Sequence, residues 1–393
     1  MYRKTYAIID EDKLKNNIKE IKAKYDNYKY YIGVVKNNAY NHGIKIINSL
    51  IEGGINYLAV SSLEEALDAR KYNSKIPILC LEVIDLDYIY DCINNNVTIT
   101  VESLEYLEKL NKIKLDFPIK IHLKLNTGMN RLGISEVNGV NKCVSIILEN
   151  KKLILEGIYT HFATSGISDK YYDDQMKKFQ ELTKDIDLTS IPIVHLGRSL
   201  TLVNHDKPDF VNGIRLGIIM YGFSQSIKED TSLRGKLRAI KRKKLIKKFN
   251  ISKTYLTNDL NLKTAFSLYS NVMTIKKVKN KEFVGYGANF FADRDIKVAI
   301  IPIGYADGVT IKYKNVSIKG QKYQIIADSM DMLMVKVDNT VKIGDKVEIF
   351  GENISIREAS RNNGCNSYRL FNMITNRVPR IYKKDKEKIE IKY

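Results

Sequence analysis

Lys36 stands where an apolar, β-branched run that begins at Tyr30 should end, followed by Asn37, Asn38, Tyr40 and the pair His42-Gly43. Other polar residues close similar runs further along. They are Arg131 in NTGMNRLG, His161 in THFA, His195, Arg198 and Ser199 in HLGRSL, and Arg215 with Gly217 in IRLGIIMYG. Any one of them alone reads as a surface charge or a satisfied core polar group. Their recurrence at the same end of successive runs points instead to a shared site. A lysine crowded by cations and partly desolvated gives up its proton more readily, and the neutral amine is a nucleophile and a base. Arginines and a Gly-rich turn around Gly217 suit a phosphate, with backbone N–H groups doing part of the holding. A lysine beside a phosphate cradle is the residue set that takes pyridoxal 5'-phosphate as an imine.

The elements that must position these residues follow from the spacing of the runs. Eight apolar segments occur between Tyr30 and Gly217: YYIGVVK, YLAVSS, ILCLEV, VTITV, IKIHLKL, LEGIYTHFA, IVHLG and VNGIRLG. Stretches of helical periodicity separate most of them, such as SLEEALDARKY and YYDDQMKKFQELTKDI. Near-continuous apolar strands alternating with amphipathic helices predict a parallel sheet covered by helices. Eight units suit a (β/α)8 barrel, whose catalytic groups come from the C-terminal ends of the strands. No G-x-G-x-x-G turn supports a doubly wound sheet. After about Ser224 the pattern changes to strand-like runs with Gly, Asn and Asp punctuation, which predict a mostly β domain. The expected division is a barrel over 11–224 and a β-rich domain formed by 1–10 with 225–393, carrying a basic insertion at about 229–260.

Composition bounds the reading further. The 393 residues are 44% hydrophobic and 28% charged, ordinary for a soluble globular protein, and the length suits two domains. The start of the chain lacks a signal-like apolar region, and no run reaches the length of a membrane span. Four scattered cysteines without C-x-x-C spacing fit reduced thiols in the cytoplasm. The formal charge of +19 is spread evenly, which fits codon bias better than a nucleic-acid surface. The exception is the acid-free basic stretch from Arg234 to Lys253.

Taken together, the chain resembles the bacterial alanine racemases, fold-type III pyridoxal phosphate enzymes. VVKNNAYNHG, KLNTGMNRLG, THFA, IRLGIIMYG, GYGANFFA, IPIGYADG, SMDMLMV and NRVPRIY match the family's segments in the family's order. The resemblance implies that Lys36 carries the cofactor and that Tyr40, Ser199, Gly217, Ile218 and Tyr368 contact its phosphate. It places Arg215 at the pyridine nitrogen, His161 beside the ring, and Arg131 near the substrate carboxylate and cofactor hydroxyl. Lys124 matches a lysine that many relatives carry carbamylated. Lys36 and Tyr286 are implied as bases on opposite faces of the substrate, Tyr286 coming from the partner in a homodimer, together with Tyr305, Met330 and Asp331. The implied reaction interconverts L- and D-alanine, supplying D-alanine for peptidoglycan; a same-fold racemase for serine or a broader set is the alternative. The chain departs from the family pattern at Asn41, where glycine is usual, and at Arg198, where asparagine is usual. Leu125 and Asn126 follow Lys124 where an acid is frequent, and the basic insertion has no expected counterpart.

Overall fold

The computed structural model describes residues 3–164, 169–223, 240, 260–385 and 387–389. The basic insertion therefore falls, apart from position 240 and its last residue, outside the described residues. The chain divides into two compact units, one of Lys15–Asn37 with Ile44–Leu262, the other of Met1–Leu14, Asn38–Gly43 and Lys263–Tyr393.

The first unit holds a closed barrel of eight parallel strands: Tyr30–Val34, Tyr57–Val60, Ile78–Cys80, Val97–Val101, Ile119–Lys124, Leu153–Tyr159, Ile193–Arg198 and Gly213–Leu216. Each lies within one of the eight apolar segments or overlaps it. Closure is made by pairing of the first strand with the last, Tyr30 opposite Gly213 and Ile32 opposite Arg215. Two of the helices between them start on side-chain caps. Ser62 accepts from the Glu65 N–H at the start of Leu63–Arg70, and Ser103 accepts from the Tyr106 N–H at the start of Leu104–Asn111.

The other unit is built on a ten-stranded sheet. Most of its strands pair antiparallel, from the edge strand Thr274–Val278 with Ile296–Ile301 to the central pair Asn315–Ile318 with Gln321–Asp328. Tyr6–Asp10 enters this sheet between Phe266–Asn271 and Arg380–Lys384. Asp307, fully buried, fixes the IPIGYADG loop by accepting from the Gly304 N–H at 3.0 Å and pairing with Arg3 at 2.7 Å.

One backbone feature corrects the expectation for the first barrel strand. The strand ends at Val34, and Lys36 opens a turn in which Asn37, Asn38, Ala39, Tyr40 and Asn41 all have positive φ, between 51° and 66°. Left-handed backbone costs an L-residue roughly 1–2 kcal/mol, and asparagine tolerates it best among residues with a side chain. Three of the five are asparagine, which gives a local reason for Asn41 where a glycine is usual. Asn41 is also tied down: its amide donates to the Phe371 and Ile374 carbonyls, and its oxygen accepts from Arg380 Nη2 at 2.7 Å.

Candidate active site

The barrel brings Lys36, Lys124, Arg131, His161, Arg198, Ser199, Arg215 and Gly217 to the C-terminal ends of its strands. Lys36 is partly buried. Lys124, the last residue of its strand, is 5% exposed, with its ammonium 5.1 Å from the centre of the Tyr159 ring. Burial and then the charges of Arg215, Arg131 and Lys36 bring its pKa down to about 8.

The loop after Lys124 is folded back on the strand end. Ile134 donates to the Lys124 carbonyl and Asn126 to the Ile134 carbonyl, both at 2.9 Å. Gly133 makes this possible. Its φ is +121°, and a Cβ there would stand 2.6 Å from the Asn126 nitrogen. Arg131 sits on this loop, exposed at its tip.

Arg215 is the buried centre of the site. Nη1 donates to His195 Nδ1 at 2.6 Å and to the His195 carbonyl at 2.9 Å. Nη2 donates to the Thr160 and Leu196 carbonyls, with His161 Nδ1 at 3.2 Å. Four Nη hydrogens are thereby engaged, and Nε–H is the guanidinium donor with no partner among the described residues. Burial and the neighbouring Arg198 and Arg131 bring the Arg215 pKa down to about 10, against the pull of Tyr159. His161 is held well below the usual imidazole range by burial and then by Arg215, Arg198 and Arg131. It is neutral, with Nδ1 as an acceptor and its hydrogen on Nε2. Gln175, a buried helix residue that sequence reasoning did not single out, holds this segment by donating to the His161 carbonyl and accepting from the Ala163 N–H.

Ser199 and Gly217 meet directly, Gly217 N–H donating to Ser199 Oγ at 3.0 Å, with Ile218 buried beside them in sequence. In the other unit the Tyr40 and Tyr368 rings lie 5.7 Å apart. Tyr286 occupies a short 3-10 turn at the tip of the hairpin formed by Phe283–Val284 and Phe290–Phe291, and it is 80% exposed. Tyr305 and Met330 are also exposed and share a backbone junction, Ala306 N–H donating to the Met330 carbonyl at 3.0 Å. Asp331 is engaged with Arg377 at 2.7 Å. Among the described residues no group of His, Cys, Asp and Glu could hold a metal, and no helix is long and apolar enough to cross a membrane.

A stability consequence follows from Lys124. Its folded pKa lies below the ordinary 10.5, so the unfolded chain binds more protons between about 8 and 10.5 and stability rises with pH through that window. Below about 8 the penalty is fully present, on the order of 3 kcal/mol at most for the difference between 10.5 and about 8. Lys124→Met is therefore expected to raise Tm at neutral pH in carbon dioxide-free buffer and to flatten the stability profile above pH 8. Unchanged Tm and an unchanged profile would show that the Lys124 charge carries no such cost.

Comparison with known proteins adds an independent line. Residues 9–225 match the family model for the alanine racemase N-terminal domain, and residues 265–382 match that for the C-terminal domain. A curated alanine racemase of Methanococcus maripaludis is 35% identical over 96% of this chain and 98% of its own length. The solved alanine racemase of Clostridium difficile 630 superposes with a TM-score of 0.86 at 30% identity, covering 100% of this chain and 99% of that one. The Bacillus anthracis alanine racemase, solved with bound L-Ala-P, superposes with a TM-score of 0.84 at 28% identity, covering 99% of this chain and 97% of that one.

Proposed function

The chain belongs to the alanine racemase family, and from that premise we propose that it interconverts L-alanine and D-alanine with pyridoxal 5'-phosphate as cofactor, supplying D-alanine for cell-wall peptidoglycan. The observation that carries the reading is the charge at the barrel end. Burial aside, the neighbours that act on Lys124 and His161 are cations. Such a site is electrostatically incomplete without an anion, and a phosphorylated cofactor with an amino-acid carboxylate supplies two.

The residues present fit that cofactor. Arg215 keeps one donor, Nε–H, without a partner among the described residues, and a group that can only donate suits an unprotonated pyridine nitrogen. It would keep that nitrogen unprotonated and so limit leakage into transamination. Ser199, Gly217 and Ile218 offer hydroxyl and backbone groups to the phosphate, and the resemblance adds Tyr40 and Tyr368. Lys36 would be the covalent attachment point, His161 would stand beside the ring, and Arg131 would take the substrate carboxylate. When bound, the cofactor supplies an electron sink that makes the substrate Cα–H acidic.

The chain's own residues then have to move a proton. Lys36 Nζ serves one face of the substrate and Tyr286 Oη the other. Lys124, with its pKa near 8, has a reactive neutral fraction at physiological pH. Its amine can add carbon dioxide, forming an N–C bond and releasing a proton, and the resulting carbamate would pair with Arg131. An added mass of one carbon dioxide on the peptide holding Lys124, lost in acid, tests this.

Tyr286 is exposed in the single chain, as are Phe283, Phe291, Tyr305 and Met330. That exposure supports a homodimer in which the partner's hairpin completes each site. Equal amounts of Lys36→Ala and Tyr286→Phe protein, each inactive alone, should recover roughly a quarter of full activity after subunit exchange. Random pairing makes half the dimers mixed, each with one intact site of two. No recovery after demonstrated exchange would count against shared sites.

The substrate is tested by a chiral assay with alanine and serine side by side. Alanine should be turned over with at least about tenfold higher kcat/KM, the discrimination a small pocket achieves against one added group. Preference for serine would move the reading to the same-fold alternative.

A further inference from the structure

A line of polar groups runs through the barrel interior from Arg215, and nothing in the function above accounts for its far end. His195 Nε2 meets His122 Nδ1 at 2.9 Å, and His122 Nε2 meets Glu156 Oε2 at 3.3 Å. The same carboxylate oxygen accepts from Tyr57 Oη at 2.6 Å and Thr98 Oγ at 2.9 Å, while Lys120 pairs with Oε1 at 3.0 Å. Both imidazoles are fully buried. Their seats are shaped for them. A Cβ at Gly157 would stand 2.6–2.8 Å from His122 ring atoms, and the Tyr159 ring stacks on His195 at 4.7 Å with the planes 9° apart.

Donor and acceptor chemistry allows this line one arrangement. Arginine can only donate, so His195 Nδ1 must accept and its hydrogen must be on Nε2. That hydrogen points at His122 Nδ1, which must therefore accept, leaving the His122 hydrogen on Nε2. That hydrogen ends on Glu156. Moving any one of them sets two donors against each other inside the barrel, where an unmade hydrogen bond is costly. Glu156 is the acceptor on which the whole line closes.

We propose that Glu156 is a positioning residue for the cofactor site: by accepting from His122 it closes the line that Arg215 opens, and the two ends together fix the tautomers of both histidines and hold Arg215 with its Nη groups engaged and its Nε–H free for a ligand. The role toward the cofactor rests on the function proposed above; the tautomer assignment does not. The groups facing these rings are Glu156, Lys120 and Arg215 at His122, and Arg215, His122 and Lys124 at His195. Burial lowers the proton affinity of His122 by more than Glu156 raises it, and burial with Arg215 lowers that of His195, so both rings stay neutral. Burial alone would raise the Glu156 carboxyl, but hydrogen bonds from His122 and Tyr57 outweigh it and keep it ionised.

The test uses full-length protein labelled with 15N-histidine, with and without pyridoxal 5'-phosphate. The chain has five histidines, few enough to assign by single substitutions. Wild type should show His122 and His195 as neutral Nε2–H tautomers that do not titrate between about pH 6 and 9. Glu156→Leu removes the acceptor and should lose the His122 tautomer and weaken pyridoxal 5'-phosphate binding by about tenfold or more. Glu156→Gln keeps an acceptor oxygen and should retain both. A wild-type spectrum with either ring protonated or carrying Nδ1–H overturns the proposal, as does loss of the tautomers in Glu156→Gln. Glu156→Leu protein with unchanged tautomers or unchanged affinity overturns it too. If wild type binds no pyridoxal 5'-phosphate, the functional reading fails, and the tautomer spectra still decide the fixed array.

Discussion

Lys36→Ala protein is expected to lose racemase activity by more than about 10³-fold in both directions, because it removes the attachment point and one proton carrier together. It should still take up pyridoxal 5'-phosphate, held by the cations around it, but without a covalent bond. Borohydride treatment followed by denaturation separates the two states: wild type keeps the cofactor on the chain and the variant releases it. The competitor for the attachment role is Lys124, whose depressed pKa leaves part of its amine neutral near physiological pH. Geometry argues for Lys36. It opens a turn of five left-handed residues, Asn37–Asn41, whose cost is offset by the anchoring of Asn41 to Phe371, Ile374 and Arg380. Lys124 instead is nearly buried on the inward face of its strand, with its ammonium over Tyr159. If Lys36→Ala protein keeps borohydride-fixed cofactor at full occupancy, Lys124 is the carrier and the assignment of Lys36 is wrong.

The contrast between these two lysines shows where the sequence was legible. Lys36 stood out because it breaks an apolar run, and the eight barrel strands stood out because each is a short apolar run bounded by helical spacing. Both signals are local. The interior line was hidden by the same alternation that reveals strands. IKIHLKL reads as a strand with Lys120, His122 and Lys124 on a polar face, which normally means a face toward water. Closure of the barrel turns that face inward, so His122 is fully buried and Lys124 nearly so. The pairing of His122 with Glu156 depends on a register shift between Ile121 and His122 that no periodicity encodes. His195 was visible at a strand end, but its tautomer was not, since that is set by the line between Arg215 on the neighbouring strand and Glu156. In the other unit, Tyr6–Asp10, Phe266–Asn271 and Arg380–Lys384 are adjacent only because distant segments of chain meet in one sheet.

Tyr286→Phe is expected to slow proton abstraction from L-alanine by about 10²–10⁴-fold while leaving abstraction from D-alanine much less affected. Racemisation needs Cα deprotonated on one face and reprotonated on the other. A single base would require the substrate to turn over inside the site, and a carboxylate held by Arg131 opposes that rotation. Two bases remove the need, and on the proposed assignment Lys36 Nζ would take the proton from the D-enantiomer and Tyr286 Oη from the L-enantiomer. Tyr286 is exposed in the single chain, and in the homodimer proposed above the partner's phenol would stand among the barrel cations. Phenylalanine keeps the ring and removes only the titratable hydroxyl, so packing is preserved and the chemistry alone is tested. Single-turnover exchange of the α-hydrogen with solvent, begun separately from each enantiomer, reads the two faces independently. Equal slowing from both sides, or none from either, would defeat the two-base assignment while leaving Lys36 as the cofactor lysine.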